Sequence, residues 1–189
     1  MDKIVMDYEK EFLEALNFTK EILNEKHKFV IDNSRFLTDK TLENISSFIN
    51  KEIISLNLSK DDFFAKCFQI NYLFIDKIKS FLKCDVFYTV GYIIMENDKI
   101  FYTPKDKLAN FLTFGYGSAK INLHAWLTLP TLEIIDLTFS TTYAILHKKP
   151  DMMGLVVTKH PSDLTGGLSY HPQIIGFEYF KKIGVLFEI

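Results

Sequence analysis

Apolar residues along the first eighty positions recur at helical spacing. Between Asp7 and Lys28 they fall at Phe12, Leu13, Leu16, Ile22 and Leu23, which predicts an amphipathic helix. The stretch "IDNSRFLTD" breaks that pattern. A second helix is predicted from Asp39 to about Leu56, with Leu42, Ile45, Ile49, Ile53 and Leu56 on one stripe and Thr38 or Asp39 as its cap. Ser59 with Asp62 three positions later resembles a capping box. Beyond it Cys67, Ile70, Phe74, Ile78 and Phe81 share a helical face that reaches about Lys83.

After Lys83 the pattern changes to β-branched and aromatic runs. "CDVFYTVGYIIM" reads as a strand, "ENDK" as a turn and "IFYT" as a second strand. "PKDKLANFLTF" suits a short helix and "GYGSAK" a Gly-rich loop. "INLHAWLTL" and "LEIIDLTF" read as two strands joined at Pro130-Thr131, hence a hairpin. "MGLVVTK" is a further strand, "HPSDLTGGLSYHP" a loop, "QIIGFEYFKKI" a short helix and "GVLFEI" a closing strand. Helices followed by mainly antiparallel strands predict an α+β domain, with N-terminal helices packed on the sheet. A single domain over residues 1–189 is expected, its helical part at 1–58 and its α+β core at 59–189.

Composition narrows the function classes. Hydrophobic residues make up 48% of the 189, enough for a real core. A net charge of −2 and the lack of a dense Lys/Arg cluster argue against a nucleic-acid binder. No apolar run approaches a membrane span, and "MDKIVMDYEKEF" lacks the form of a signal peptide. The expectation is a cytoplasmic protein, or one exported by a route the sequence does not display. Two cysteines, Cys67 and Cys84, are too few for a disulfide scaffold or a Cys-rich zinc site. His147, His160 and His171 match no common metal spacing, and His-Pro pairs mark turns. No metal or organic cofactor is expected.

One segment stands out against this background. "NLHAWLTLPTLEIIDLTF" places one imidazole, His124, and one carboxylate, Asp136, in what otherwise reads as core. Attack on a carbonyl carbon needs a nucleophile, a base to deprotonate it and a group to orient the base. A Cys near a helix N-terminus and beside a His is a strong nucleophile at neutral pH. If Leu129 to Leu132 form the turn, His124 and Asp136 come roughly opposite each other on antiparallel strands and can meet on one face. A helix carrying Cys67 and packed against that face would align thiol, imidazole and carboxylate. The capping box at Ser59, read alone, would bury Cys67 two turns inside a helix, where the dipole helps little. The two strands favour another parsing, with a short turn at Ser59 and a new helix beginning near Cys67.

Cys67 in "AKCFQINYLF", His124 in "LHAWLTL" and Asp136 in "IIDLT" resemble, in order and context, the transglutaminase-like branch of the papain-like cysteine enzymes. "HAW" followed by "IIDLT" is the most specific part, and "YTVGYI" resembles the family's strand leading to a Gly. Lys66 and Phe68 depart from the family's pattern around the Cys, while Ala65 fits it loosely. The resemblance covers roughly Ser59 to Ser140. It implies a nucleophilic Cys67, a base His124 and an orienting Asp136, with peptide or protein glutamine amides as substrates. Gln69, Asn71 and Asn122 are candidates for the second oxyanion donor, beside the Cys67 N–H. Trp126 is expected to be core or a pocket wall rather than a ligand platform.

Each of these residues has a plainer explanation when taken singly. Free Cys is commonly buried, a lone His in an apolar strand is commonly a core residue, and Asp136 could simply cap the Asp-Leu-Thr turn. Their joint occurrence in the right order favours a cysteine-dependent acyl transfer to water, as in a peptidase, amidase or deamidase. Two alternatives stand beside it: N-acyl transfer from a thioester donor, and a catalytically silent module that holds a peptide in the same cleft. The N-terminal helices can cover the cleft or bind a partner protein. Cys84, at the start of a strand, is expected to be structural.

Overall fold

The computed structural model describes residues 2–25, 27–117 and 121–185, with side chains from Tyr8 onward. Among these residues the chain forms an α+β fold with a six-stranded sheet whose strand pairs are all antiparallel. Helices α1 (Asp2–Leu23), α2 (Asp39–Ser55) and α3 (Cys67–Leu82) come first. Strands β1 (Phe87–Met95) and β2 (Asp98–Ile100) follow, then helix α4 (Lys105–Phe114). Next come β3 (His124–Thr128), β4 (Ile134–Asp136) and helix α5 (Phe139–His147). Strands β5 (Val157–Lys159) and β6 (Ser169–Ile175) and helix α6 (Glu178–Lys182) complete the order. No described helix is long and apolar enough to cross a membrane.

Strand β1 is the centre of the sheet. On one edge it pairs with β3 over Phe87–Gly91 and with β2 over Ile93–Met95; on the other it pairs with β6. Beyond β3 lie β4 and then β5. Both faces are covered. Tyr88, Val90, Ala125, Leu127 and Ile135 pack with Ile45 and Ile49 of α2 and Ile70, Phe74 and Ile78 of α3. Trp126, Ile134, Tyr170 and Ile175 pack instead with Tyr8, Phe12 and Ala15 of α1 and with Phe139 and Tyr143 of α5. This explains why β3 shows no polar alternation: all five of its residues are buried. Sealing a side chain such as Ile45 or Ile49 contributes roughly 1.5–3 kcal/mol. Gly91 is required where β1 meets β6, because a Cβ there would lie 2.0 Å from the His171 carbonyl oxygen, beside a register shift.

The N-terminal helical part belongs to this same core. The Trp126 indole donates to Tyr8 Oη at 3.0 Å, and the Ile175 N–H donates to Thr19 Oγ1 at 2.9 Å. The buried Glu133 carboxylate accepts the N–H groups of Phe36 and Leu37, which pins the α1–α2 connection to the β3–β4 turn.

Several expected elements are corrected. Helix α1 ends at Leu23 rather than Lys28, with Asn24 in a left-handed conformation just past it. Thr38 is the α2 cap. The strand expected over Leu132–Phe139 is only three residues long and gives way to α5, which the apolar run concealed. The strand expected in "MGLVVTK" shrinks to β5. The last four residues of the loop expected over His160–Pro172 are strand, since β6 begins at Ser169 and takes the "QII" assigned to a helix. Residues 171–172 tolerate Pro because β6 has a free outer edge. Most of the expected closing strand "GVLFEI" and part of the "GYGSAK" loop lie outside the described residues.

Candidate active site

The Ser59–Asp62 box opens a short 3-10 turn over Lys60–Phe63, and α3 starts afresh at Cys67. The break is made by Ala65, whose φ of 54° lies in the left-handed region. A non-Gly residue there costs about 1–2 kcal/mol. Its N–H is secured by Thr142 Oγ1 of α5 at 3.2 Å. This bend turns the chain so that Cys67 is the first residue of a 16-residue helix. The first intrahelical bond runs from the Ile70 N–H to the Lys66 carbonyl, so the Cys67 N–H precedes the helical ladder. The sulfur thus sits at the positive end of the α3 dipole.

Two contacts hold that first turn against the sheet. The Asn71 amide donates to the Cys67 carbonyl at 2.9 Å and to the Ala125 carbonyl at 2.8 Å. Tyr88 Oη donates to the Phe68 carbonyl at 3.0 Å. Asn71 therefore ties the backbone of Cys67 to the residue following His124. Both of its N–H bonds go to main-chain carbonyls, so Asn71 is a brace and not an oxyanion donor.

The turn between β3 and β4 closes at Leu129–Leu132, as expected from the sequence. The register pairs Leu127 with Ile135. Asp136 therefore faces Trp126, and His124 lies two residues further along the same face. The meeting is diagonal rather than directly opposite, within the reach of side chains of this size. His124 Nε2 and Asp136 Oδ2 are 2.6 Å apart. With Nε2 so engaged, Nδ1 is the ring nitrogen left for Cys67, which lines the same cleft as His124. Burial alone would push the imidazole pKa down. The charges of Asp136 and Cys67, with the hydrogen bond to Asp136, outweigh it and hold His124 up at about 10.

Asp136 is the most heavily engaged carboxylate at the site. Its Oδ1 accepts the N–H groups of Thr138 at 2.9 Å and Phe139 at 3.1 Å, and the Thr138 hydroxyl at 3.2 Å. Its Oδ2 accepts from His124 and from Tyr170 Oη at 3.0 Å. Burial pushes this carboxyl upward, but the His124 charge and these donors reverse the shift and hold it below the usual range. The residue caps a helix with one oxygen and holds the imidazole with the other. Burial and the Asp136 charge keep Tyr170 protonated, so its hydroxyl donates.

Cys67 and His124 line a cleft of about 350 Å³. Of the four candidate accessory residues, Asn122 alone is on its wall, with Nδ2 3.4 Å from the Tyr102 carbonyl. Gln69 is half-buried outside the cleft. Of its two expected places, core or pocket wall, Trp126 takes the core: it is fully buried and its N–H is bonded to Tyr8. Cys84 stands apart from this site, half-buried just beyond the far end of α3. Burial and the neighbouring Asp85 push its thiol up to about 11.

His147, His160 and His171 each have a protein partner. His147 stacks on Tyr143, His160 Nδ1 is bonded to Ser162, and His171 bridges Glu11 and Ser169. Among the described residues no group of three or more His, Cys, Asp or Glu side chains could hold a metal ion.

Ala65, Phe101 and Tyr170 were not signalled by the sequence. Phe101 stacks on the His124 ring with centroids 5.2 Å apart. Tyr170 lies in a Pro-flanked stretch with no strand pattern, and nothing local marks Ala65 as left-handed. No protein-family model matches this chain, and neither a curated protein nor a solved structure matches it.

Proposed function

We propose that this protein is a cysteine-dependent acyl-transfer enzyme that hydrolyses an amide or related acyl bond. One observation carries the reading. Cys67 opens a helix and lines one cleft together with His124, and the buried Asp136 holds His124 Nε2 at 2.6 Å. The order of Cys helix, His strand and Asp strand supports a transglutaminase-like core, as the sequence resemblance implied.

The chemistry follows from the placement. His124 takes the thiol proton, and Cys67 Sγ bonds to the carbonyl carbon. The oxyanion that forms is met by the Cys67 N–H, with Asn122 Nδ2 as the second donor. His124 then gives its proton to the leaving group as the bond from carbon to the leaving atom breaks. Water adds to the resulting thioester with His124 as base, the C–S bond breaks, and the proton returns to sulfur. Asp136 keeps the ring in one tautomer and offsets its charge.

Alkylation by iodoacetamide at pH 6, followed by mass spectrometry of the intact and digested protein, tests this reading. Cys67 is expected to label well ahead of Cys84, and His124→Ala to slow that labelling at least tenfold. Labelling of Cys67 no faster than that of an unfolded thiol would leave a binding module on the same fold as the better account.

A further inference from the structure

We infer that the acyl group this cleft accepts is apolar and uncharged, with room for on the order of ten non-hydrogen atoms. The inference rests on the thiol chemistry proposed above and names its substrate class. The cleft holds about 350 Å³, and a water-sized group occupies about 30 Å³. Phe64 and Phe68, three positions before Cys67 and one after it, both line the cleft; Ile121, Leu123 and Leu146 add aliphatic surface. Phe101 covers the His124 ring. Among the described residues that line the cleft there is no Lys, Arg, Asp or Glu, and the polar groups are few.

Two of those polar groups are committed elsewhere, and the Asn122 side chain is assigned to the oxyanion. Thr142 Oγ1 accepts from Ala65, and the Asn122 main-chain carbonyl accepts from Thr103. A charged or amide-bearing acyl chain would lose its hydration without a partner, which is costly, whereas each buried methylene is favoured. A glutamine side chain places only two methylenes between its reacting carboxamide and the polar peptide backbone, so it would fill little of this cleft. The acyl group stays bonded to sulfur after the leaving group departs. Walls that flank Cys67 along the chain hold it through both half-reactions. Leu146, on the rim, is 58% exposed, which leaves apolar surface for the incoming chain to cover.

The test uses p-nitrophenyl esters of acetate, hexanoate and glutarate, which share one leaving group. In each, Sγ forms a thioester as nitrophenolate leaves, and water then releases the acid and restores the thiol. Nitrophenolate release and the mass of the acyl adduct on Cys67 are followed. At about fourfold per buried methylene, hexanoate is expected to exceed acetate by on the order of 100-fold in kcat/KM. Glutarate, of similar length but charged, should fall near or below acetate. Leu146→Lys, an exposed change, should narrow the gap between hexanoate and glutarate about tenfold. Equal rates for glutarate and hexanoate would overturn the inference and leave the thiol chemistry standing. Failure of every ester to acylate Cys67 would overturn the acyl-transfer reading itself, and this inference with it.

Discussion

Glu133 and Asp136 lie three residues apart on one hairpin, and both carboxylates are buried, 1% and 0% exposed. Their partners separate them. Glu133 accepts two backbone N–H groups and the Thr131 hydroxyl, all neutral, and so clamps the chain leading into α2. Asp136 also accepts two backbone N–H groups, but its second oxygen meets the imidazole of His124, which lines a cleft with Cys67. Burial therefore does not set the two acids apart. Their partners do, and that of Asp136 is a titratable ring on a cleft wall.

The largest expected effect follows directly. Asp136→Ala should lower kcat toward an acyl substrate by about 10⁴-fold, the scale seen when the orienting acid of such a trio is lost. Glu133→Ala should instead cost roughly 3 kcal/mol in urea unfolding, since three donors lose their acceptor. Its folded fraction should label at the wild-type rate. A Glu133 variant that stays folded yet loses thiol reactivity would erase the distinction.

A smaller effect is expected from pH. His124 is held up in the folded chain, so its contribution to stability is full below its unfolded value near 6.5 and fades as pH climbs through about 10. Asp136 is held down, so its contribution is full above about 3.9 and fades as pH falls through its folded value. Urea midpoints should be highest between roughly pH 4 and 6.5 and decline on both sides. His124→Ala should flatten the alkaline decline. An alkaline slope unchanged in that variant would mean the imidazole is not the group that titrates.

The smallest effect is expected for Tyr170→Phe. It removes one hydrogen bond to Asp136 Oδ2 and leaves the ring packed against Trp126. A loss of about 1 kcal/mol, or roughly fivefold in Cys67 reactivity, is the expected size. A far larger loss would make Tyr170 as important to the imidazole as Asp136.

Much of this site was legible before folding was considered. The stripe from Cys67 to Phe81, the turn at Pro130-Thr131 and the His and Asp on its two arms all follow from local spacing, and the structure brings those three residues together. Other parts were not legible. The run after Asp136 is apolar throughout, so periodicity could not separate the short β4 from α5. β6 hid behind Gly and Pro because an edge strand tolerates both. Asn71 read as an oxyanion donor because its backbone partners lie 4 and 54 positions away.

Local chemistry along the chain determined which residue types were available, their order, and the elements that carry them, because helix stripes and turns depend on neighbours a few positions apart. Long-range packing decided the rest. It engaged Glu133 with the Phe36 and Leu37 N–H groups, committed Asn71 to bracing and sealed Trp126 against Tyr8, 118 positions away. It also bent Ala65 so that a helix begins at the thiol. Burial and hydrogen-bond competition are settled by groups remote in sequence, and no local pattern records them.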